Sequence, residues 1–548
     1  MRATTGPTPS PGAAPAVATT GPNTTAKGLK PGSIGLLGSI VVSLSSTAPA
    51  YSLAASLGLV VASGGVLLAG VKAPSILLLA FVPMWMIAVA FQELNRLDPD
   101  CGTTFTWVTR AFGPTTGWLG GWGIIAADVI VMANLAQIAG SYGFRFVGAV
   151  TDVDAITALG GDTLWSTVAG VAWIAVMTVV CHLGVEVSTR LQYALLGIEV
   201  LALAVFAGVA AFRVFDGTAG VTSITPSLDW LWPSGLDPAT VIAPAMLTAL
   251  FIYWGWDTAL SLNEETTDPR RTPGRSAVIS TVLLLGTYVL LATATIAFAG
   301  VGTDGIGLGS PGNADDVFAA IAPALFGSSV LGHAATALLA FAILTSASAS
   351  TQTTILPTAR TALSMAAHGA LPSRFARVHA RFRTPTWSTF GMGIASAGCY
   401  VLFTVLSGNL LTALIGSVGL MIAFYYALTG FACVWVFRRT LLDSARHFVV
   451  RGVVPLLGGA TLTVAFGYGL AQFARPDWLQ DADGRNVTVL GIGAVAVVGV
   501  AAIAVGVVLM VVWRLRSPAF FVGRTGAAGK DPNSDSVERR QPRPTVDR

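Results

Sequence analysis

The chain has 548 residues, 53% hydrophobic and only 11% charged, with a net charge of +4. A soluble domain carries about 25% charged residues, so the composition excludes an ordinary soluble protein, and the small, dispersed positive charge excludes a nucleic-acid binder. The four cysteines, Cys101, Cys181, Cys399 and Cys433, stand far apart, and the few histidines are scattered. That leaves no zinc spacing, no metal cluster and no nucleophile with its base, so neither a metal nor another cofactor nor an enzyme is expected.

In chain order, residues 1–32 are rich in Thr, Pro, Ala and Gly. They lack the apolar h-region of a signal peptide and read as a disordered tail. Twelve apolar segments follow, at 34–62, 73–95, 117–149, 165–183, 187–213, 240–262, 275–300, 328–357, 387–406, 409–437, 449–473 and 487–513. A span takes roughly 20 apolar residues, and runs this long and apolar satisfy their backbone in lipid as helices. The polar, Pro/Gly-rich residues 517–548 read as a second disordered tail. The expectation is an all-α polytopic membrane protein, with 12 transmembrane helices in one domain over 33–516. Twelve spans put both termini on one side. If that side is the cytoplasm, only Lys72, Arg145, Arg213, Arg475 and Arg485 of the 31 Lys and Arg lie outside. This is the positive-inside pattern, and it predicts a multi-pass protein of the cytoplasmic membrane with both termini cytoplasmic.

The first span contains "LSSTAPAYSLAAS" (44–56), where Ser45, Ser46 and Thr47 precede Pro49. Pro49 has no N–H, and its ring clashes with the Ser45 carbonyl. Ser45 lies about 18 Å into the span, near mid-membrane. Beyond the break a second half-helix begins, and its first amides, around Ala50 to Ser52, carry a positive dipole end suited to an anion. A proline kink satisfied by hydroxyl back-bonding is the alternative at this position. The sixth span reads "LTALFIYWGWDTALSLNEE" (247–265), with Gly255 mid-span and Asp257 just after it. An ionisable residue at that depth is a functional candidate. Two interrupted spans, five apart, point to a transporter site between inverted repeats.

Three stretches carry a family resemblance. They are "AFQELNRLDPDCGTTFTWVTRAFGPTTGWLGGW" (90–122), "YWGWDTALSLNEETTDPRRTPGRS" (253–276) and "TARTALSMAAHGALPSRFARVHARFRTP" (358–385). In this order they resemble the amino acid–polyamine–organocation (APC) transporters over most of residues 33–440. The resemblance implies a LeuT-like 5+5 inverted-repeat fold, with repeats at 33–213 and 240–437 and two additional C-terminal helices at 449–513. It implies secondary active transport of an amino acid or related amine.

The resemblance also implies a site. Ser45, Ser46, Thr47, Ala48 and Ala50 occupy the first-span break, where relatives place glycines and hold the substrate carboxylate. Ile252, Tyr253, Trp254 and Gly255 match the unwound segment whose carbonyls hold the ammonium, and Phe251 matches an aromatic gate. Asn134 and Gln137 stand at third-span substrate positions. Asp257 matches an acidic position linked to protons. Glu199 replaces a lysine that stands in for sodium in many relatives, so it takes protons or pairs with a cation. Asp128, on the opposite face from Gln137, is a further titrating group or a packed polar contact. Thr345, Ser346 and Ser348 stand where sodium-coupled relatives place ligands, although such hydroxyls also glue membrane helices together. Glu93 reads as an ion-pair or cap residue. The charges from Glu264 to Arg271 read as an inner gate or a solvated loop.

The expected function is proton-coupled import by alternating access. The partners are a small-molecule substrate, a proton in preference to sodium, and the lipid bilayer, with the oligomeric state left open. The alternatives are an exchanger, a polyamine or cationic-amine transporter, and, from another class, a channel or sensor on a transporter fold.

Overall fold

The structure, a computed structural model, describes residues 27–63, 66–313, 316–406, 408–479 and 485–522. The rest of the two expected tails, 1–26 and 523–548, lies outside the described residues.

The first expected span is two helices, α1 (Leu36–Thr47) and α2 (Pro49–Val61), with Pro49 at the N1 position it favours. A short antiparallel pair, Ala62–Ser63 with Val66–Leu67, follows. Then come α3 (Ala73–Leu97), the short α4 (Thr104–Phe112) and α5 (Pro114–Thr151). Gly113, at φ 91°, turns the chain between α4 and α5. After α6 (Asp154–Leu159), Asp162 caps α7 (Thr163–His182) by accepting the amides of Leu164 and Trp165. Helix α8 is Val185–Phe215.

The sixth expected span is built of pieces. A π turn at Pro238–Ile242 leads into α9 (Ala243–Ile252), and α10 (Thr258–Ser261) follows an unwound stretch. Next are α11 (Thr272–Ala299), α12 (Val317–Phe326) and α13 (Val330–Ala367). The chain closes with α14 (Thr386–Leu406), α15 (Gly408–Phe437), α16 (Ala445–His447), α17 (Val454–Phe473) and α18 (Ala494–Arg516).

Among the described residues, eleven helices are long and apolar enough to cross a membrane when α1 and α2 count together. Pro238–Ile252 falls short on its own, because the sixth span is interrupted.

Two boundaries differ from expectation. Helix α13 runs ten residues past 357, through Pro357. The missing N–H of Pro357 frees the Thr353 carbonyl, which accepts the Thr258 hydroxyl at 3.3 Å, so tertiary contact offsets the lost helix bond. The last span begins at Ala494, because Thr488–Val489 and Ile492–Gly493 pair as a hairpin whose turn, Leu490–Gly491, has positive φ at both positions.

Helices α5 and α13 lie along one another and, with α7, α8 and α14, form a scaffold. The breaks of α1/α2 and α9/α10 pack against it, and α3 and α11 lie together behind them.

Candidate functional site

The two breaks touch. Ala48 ends α1 in the left-handed region, at φ 46°, and Gly255 has φ 120°. A Cβ on Gly255 would stand 2.8 Å from the carbonyl carbon and oxygen of Ser46, so only glycine allows this approach.

The hydroxyls that replace the expected glycines knit the breaks together. Ser46 Oγ bonds Thr258 Oγ1 at 2.8 Å, Ser43 donates to the Trp256 carbonyl at 3.1 Å, and Ser350 donates to the Ser46 carbonyl at 3.0 Å. Thr47 donates to the Leu44 carbonyl and Ser52 to the Thr47 carbonyl. The Ser45 carbonyl freed by Pro49 is taken by the Ala48 amide at 3.2 Å. It therefore lines no open polar space, contrary to the expectation from Pro49 alone.

The amide end of α2 is also occupied, which corrects the expectation of unpartnered amides there. The Ala50 amide donates to Glu199 Oε1 at 2.8 Å, the Tyr51 amide to Ser346 Oγ at 3.3 Å, and the Ser52 amide to the Ala48 carbonyl at 2.8 Å. Ser346 in turn donates to Glu199 Oε1 at 2.8 Å. Glu199 is fully buried, and its Oε2 has no hydrogen-bond partner among the described residues. A carboxylate at this place seeks N–H donors and the positive end of a helix. A lysine here would need carbonyls instead.

On the second break, the Ile252 carbonyl accepts the Tyr288 hydroxyl at 2.7 Å. Tyr253 turns away and donates to the Leu77 carbonyl of α3. Trp254 donates its indole N–H to Tyr425 at 2.6 Å, and Tyr425 donates to Asp257 Oδ2 at 2.9 Å. Trp256 packs edge-on against Phe91 and beside Tyr426, a packing role. Phe251 is buried. Asp128 accepts from Thr358 of α13 and lies within electrostatic reach of Asp257. Trp254, Tyr425 and Asp257 thus form one hydrogen-bonded chain with Asp128 nearby, a grouping of negative charge and aromatic rings of the kind that attracts an ammonium group.

The remaining expected residues divide. Asn134 accepts the Tyr51 hydroxyl, and Gln137, one turn on, is half-buried. Thr345 and Ser348 bond carbonyls of their own helix, at Ala342 and Leu344, and only Ser346 reaches across to another element. Of the three ion-site candidates, only Ser346 is thus tied to a second element.

Sequence reasoning missed Thr258, Ser350, Tyr288 and Tyr425. Tyr425 carried a usable signal, since a phenol mid-span needs a partner for its hydroxyl.

At the arginine-rich end, Glu93 takes Arg96 and Arg451, the ion-pair role expected of it. Nearby, Asp100, Cys101 and Glu264 bring ligand-type atoms within 4.8 Å of one another, a spacing that a metal ion would fit. Lys27 fills that place with its ammonium, 2.7 Å from both Asp100 and Glu264. Burial works to raise the Asp100 carboxyl, yet Lys27 and His368 hold it below the usual carboxylate range.

The family model described as "Amino acid permease" matches residues 34–497. The cationic amino acid transporter 3, mitochondrial, of Arabidopsis thaliana is 27% identical over 355 residues, 63% of this chain and 54% of its own length. The branched-chain amino acid permease BcaP of Lactococcus lactis is 24% identical over 238 residues, 41% of this chain and 47% of its own. The chain thus spans about half the length of the curated relatives it matches. The crystal structure of MhsT in complex with L-phenylalanine superposes with a TM-score of 0.56 at 14% identity, covering 79% of this chain and 98% of that one. At that identity the likeness concerns the fold, which is LeuT-like, as the sequence led us to expect.

Proposed function

Because the chain belongs to the amino acid permease family, a family of membrane transporters, we propose that it is a secondary active transporter importing an amino acid or related amine across the cytoplasmic membrane, with both termini cytoplasmic. The contact of the two helix breaks at Gly255 and Ser46, beside Asp128 and Asp257, carries this reading. The repeats at 33–213 and 240–437 each supply one break, and 449–513 adds two helices. Helices α1 to α3 and α9 to α11 rock against α5, α7, α13 and α14. The substrate ammonium sits against Trp254, Gly255 and Asp257, with Asn134 and Gln137 lining the scaffold side. A proton, in preference to sodium, rides on Asp257, with Asp128 and Glu199 as further carriers. In proteoliposomes, Asp257→Asn is expected to abolish uptake driven by a proton gradient. Undiminished uptake removes Asp257 from the mechanism, and uptake that needs internal substrate and ignores the gradient replaces import with exchange.

Glu199 favours a second reading, an amine without a carboxylate. Relatives offer the amide end of α2 to the substrate carboxylate, and here Glu199 Oε1 already takes the Ala50 amide. Competition between an amino acid and its decarboxylated amine for uptake separates the two readings. An amine that competes at least as well supports this second reading, and an amino acid that clearly wins removes it.

A further inference from the structure

A cavity of about 490 Å³ opens where α3 and α15 end, on the arginine-rich side of the bundle. Arg96, Arg110, Arg270, Arg438 and Arg451 line it, with Glu93, Trp435 and Phe437. Glu93 is shared by Arg96 and Arg451, and Arg110 lies 3.5 Å from Asp98. Arg270 and Arg438 have no carboxylate within 4.0 Å among the described residues. Five guanidinium groups thus face two carboxylates. Two of the five are held in place by aromatic rings, Arg438 at 4.3 Å from the Trp435 centroid and Arg451 at 4.4 Å from that of Phe437. Arg270 is tied by one bond to the Arg96 carbonyl and Arg438 by one to that of Trp435. Each guanidinium has five N–H donors, so most of theirs point to no protein acceptor. A concave surface with surplus guanidinium charge and unused forked donors matches a phosphate group.

A phosphate comes from a lipid headgroup or from solution, and the rim decides between them. Trp435 is 47% exposed and pairs with exposed Phe112 at 6.1 Å. Phe448 and Val449 are exposed in the same turn that carries Arg451. Exposed aromatics at the end of a span belong to the membrane interface, and basic pockets at that depth take anionic headgroups. We propose that this cavity binds the phosphate of an anionic membrane lipid. The site is separate from the helix breaks and does not depend on what the protein carries.

The test uses the full chain in detergent, with dioleoylphosphatidylglycerol, dioleoylphosphatidylcholine and inorganic phosphate added in turn at equal ionic strength. Phosphatidylglycerol is expected to raise the melting temperature, and the other two are not. The double variant Arg270→Gln/Arg438→Gln, which breaks no ion pair, is expected to bind phosphatidylglycerol roughly thirtyfold more weakly. A control double variant, Arg374→Gln/Arg377→Gln, keeps the response. Equal stabilisation by phosphatidylcholine, or an unchanged response in the Arg270/Arg438 variant, overturns the proposal. Inorganic phosphate that matches phosphatidylglycerol and displaces it overturns the lipid assignment. If the double variant does not purify, a photoreactive phosphatidylglycerol on the wild-type chain decides. Crosslinks within residues 435–451 support the site, and crosslinks only elsewhere remove it.

Discussion

A methyl group on Gly255 would press on the Ser46 carbonyl at 2.8 Å, and φ at 120° adds backbone strain for any residue with a Cβ. The alanine variant therefore meets a clash and, in addition, a disfavoured conformation that alone costs about 1–3 kcal/mol. Gly255→Ala is expected to lower the melting temperature and stop uptake. Gly197→Ala is the internal control, because a Cβ there meets nothing within 4 Å and alanine suits a helix better. A Gly255→Ala protein that melts with the wild type would show that the breaks do not touch. Ala48 is the counterpart, an alanine held at φ 46°. Its amide binds the Ser45 carbonyl and its carbonyl takes the Ser52 amide, so two hydrogen bonds hold the strained residue. Both breaks were legible in the sequence because Pro49 and Gly255 are punctuation within apolar runs. The partner of the α2 amides was not. Glu199 stands 149 residues from Ala50, and no local pattern carries that distance.

The segment before α1 works as a strap across several elements. Lys27 bridges Asp100, in the turn after α3, and Glu264, after α10. The Ser33 and Ile34 amides donate to the Glu265 carbonyl, and the Glu265 carboxylate pairs with Arg360 of α13 at 2.9 Å. Lys27→Gln removes the shared cation and is expected to leave Asp100 and Glu264 repelling one another. At pH 7 a maleimide should then reach Cys101, which is buried in the wild type, faster in the variant. Wild-type and variant rates that coincide would rule out a strap. The pH dependence has a definite sign. Asp100 is held below the ordinary carboxylate value of about 3.9, so its contribution is present above that value and lost as pH falls further. For Lys27, burial works to lower the ammonium, but Cys101, Asp100 and Glu264 outweigh it and raise it above about 10.4, so its contribution is lost only at still higher pH. The gap in melting temperature between wild type and Lys27→Gln is expected to be full near neutral pH and to narrow as pH falls, because without Lys27 burial raises the Asp100 carboxyl of the variant and its protonation relieves the repulsion. A gap that does not narrow down to about pH 4 would show that the Asp100 carboxylate does not depend on Lys27. From sequence, Glu264 to Arg271 read as a gate or a solvated loop, and the structure divides them. Glu265 is buried and paired, whereas Arg270 and Arg271 are exposed. Arg360 lies beyond the expected span 328–357, yet it is wholly buried in a helix. A hydropathy pattern ends a span at its first charge, and only the folded chain supplies the carboxylate that lets the helix continue.

At the scale of the whole molecule, the spans were the most legible feature, because each rests on many residues rather than one. The orientation itself rests on the distribution of Lys and Arg, and ion pairs neutralise part of that charge. Of the basic residues expected outside, Lys72 lies 3.2 Å from Asp229, Arg145 lies 3.0 Å from Asp316, and Arg475 lies 2.9 Å from Asp477. Arg213 is spent on the Ala324 and Leu325 carbonyls. At the opposite end Lys27, Arg96, Arg110, Arg360 and Arg451 are paired too, while Arg270 and Arg438 have no carboxylate within 4.0 Å among the described residues. The orientation is then a prediction that fusions can check. Alkaline phosphatase, which matures only outside the cytoplasmic membrane, is expected to be active when fused within residues 216–237 and inactive when fused near Thr440. A fluorescent protein that folds only in the cytoplasm is expected to glow after Arg516 and stay dark within 216–237. The reverse pattern at all sites would invert the protein and place the arginine-lined cavity on the outer leaflet. A mixed pattern would mean that Pro238–Ser261 does not cross, since this expected span is built of pieces and its apolar helix, Pro238–Ile252, is too short to cross alone.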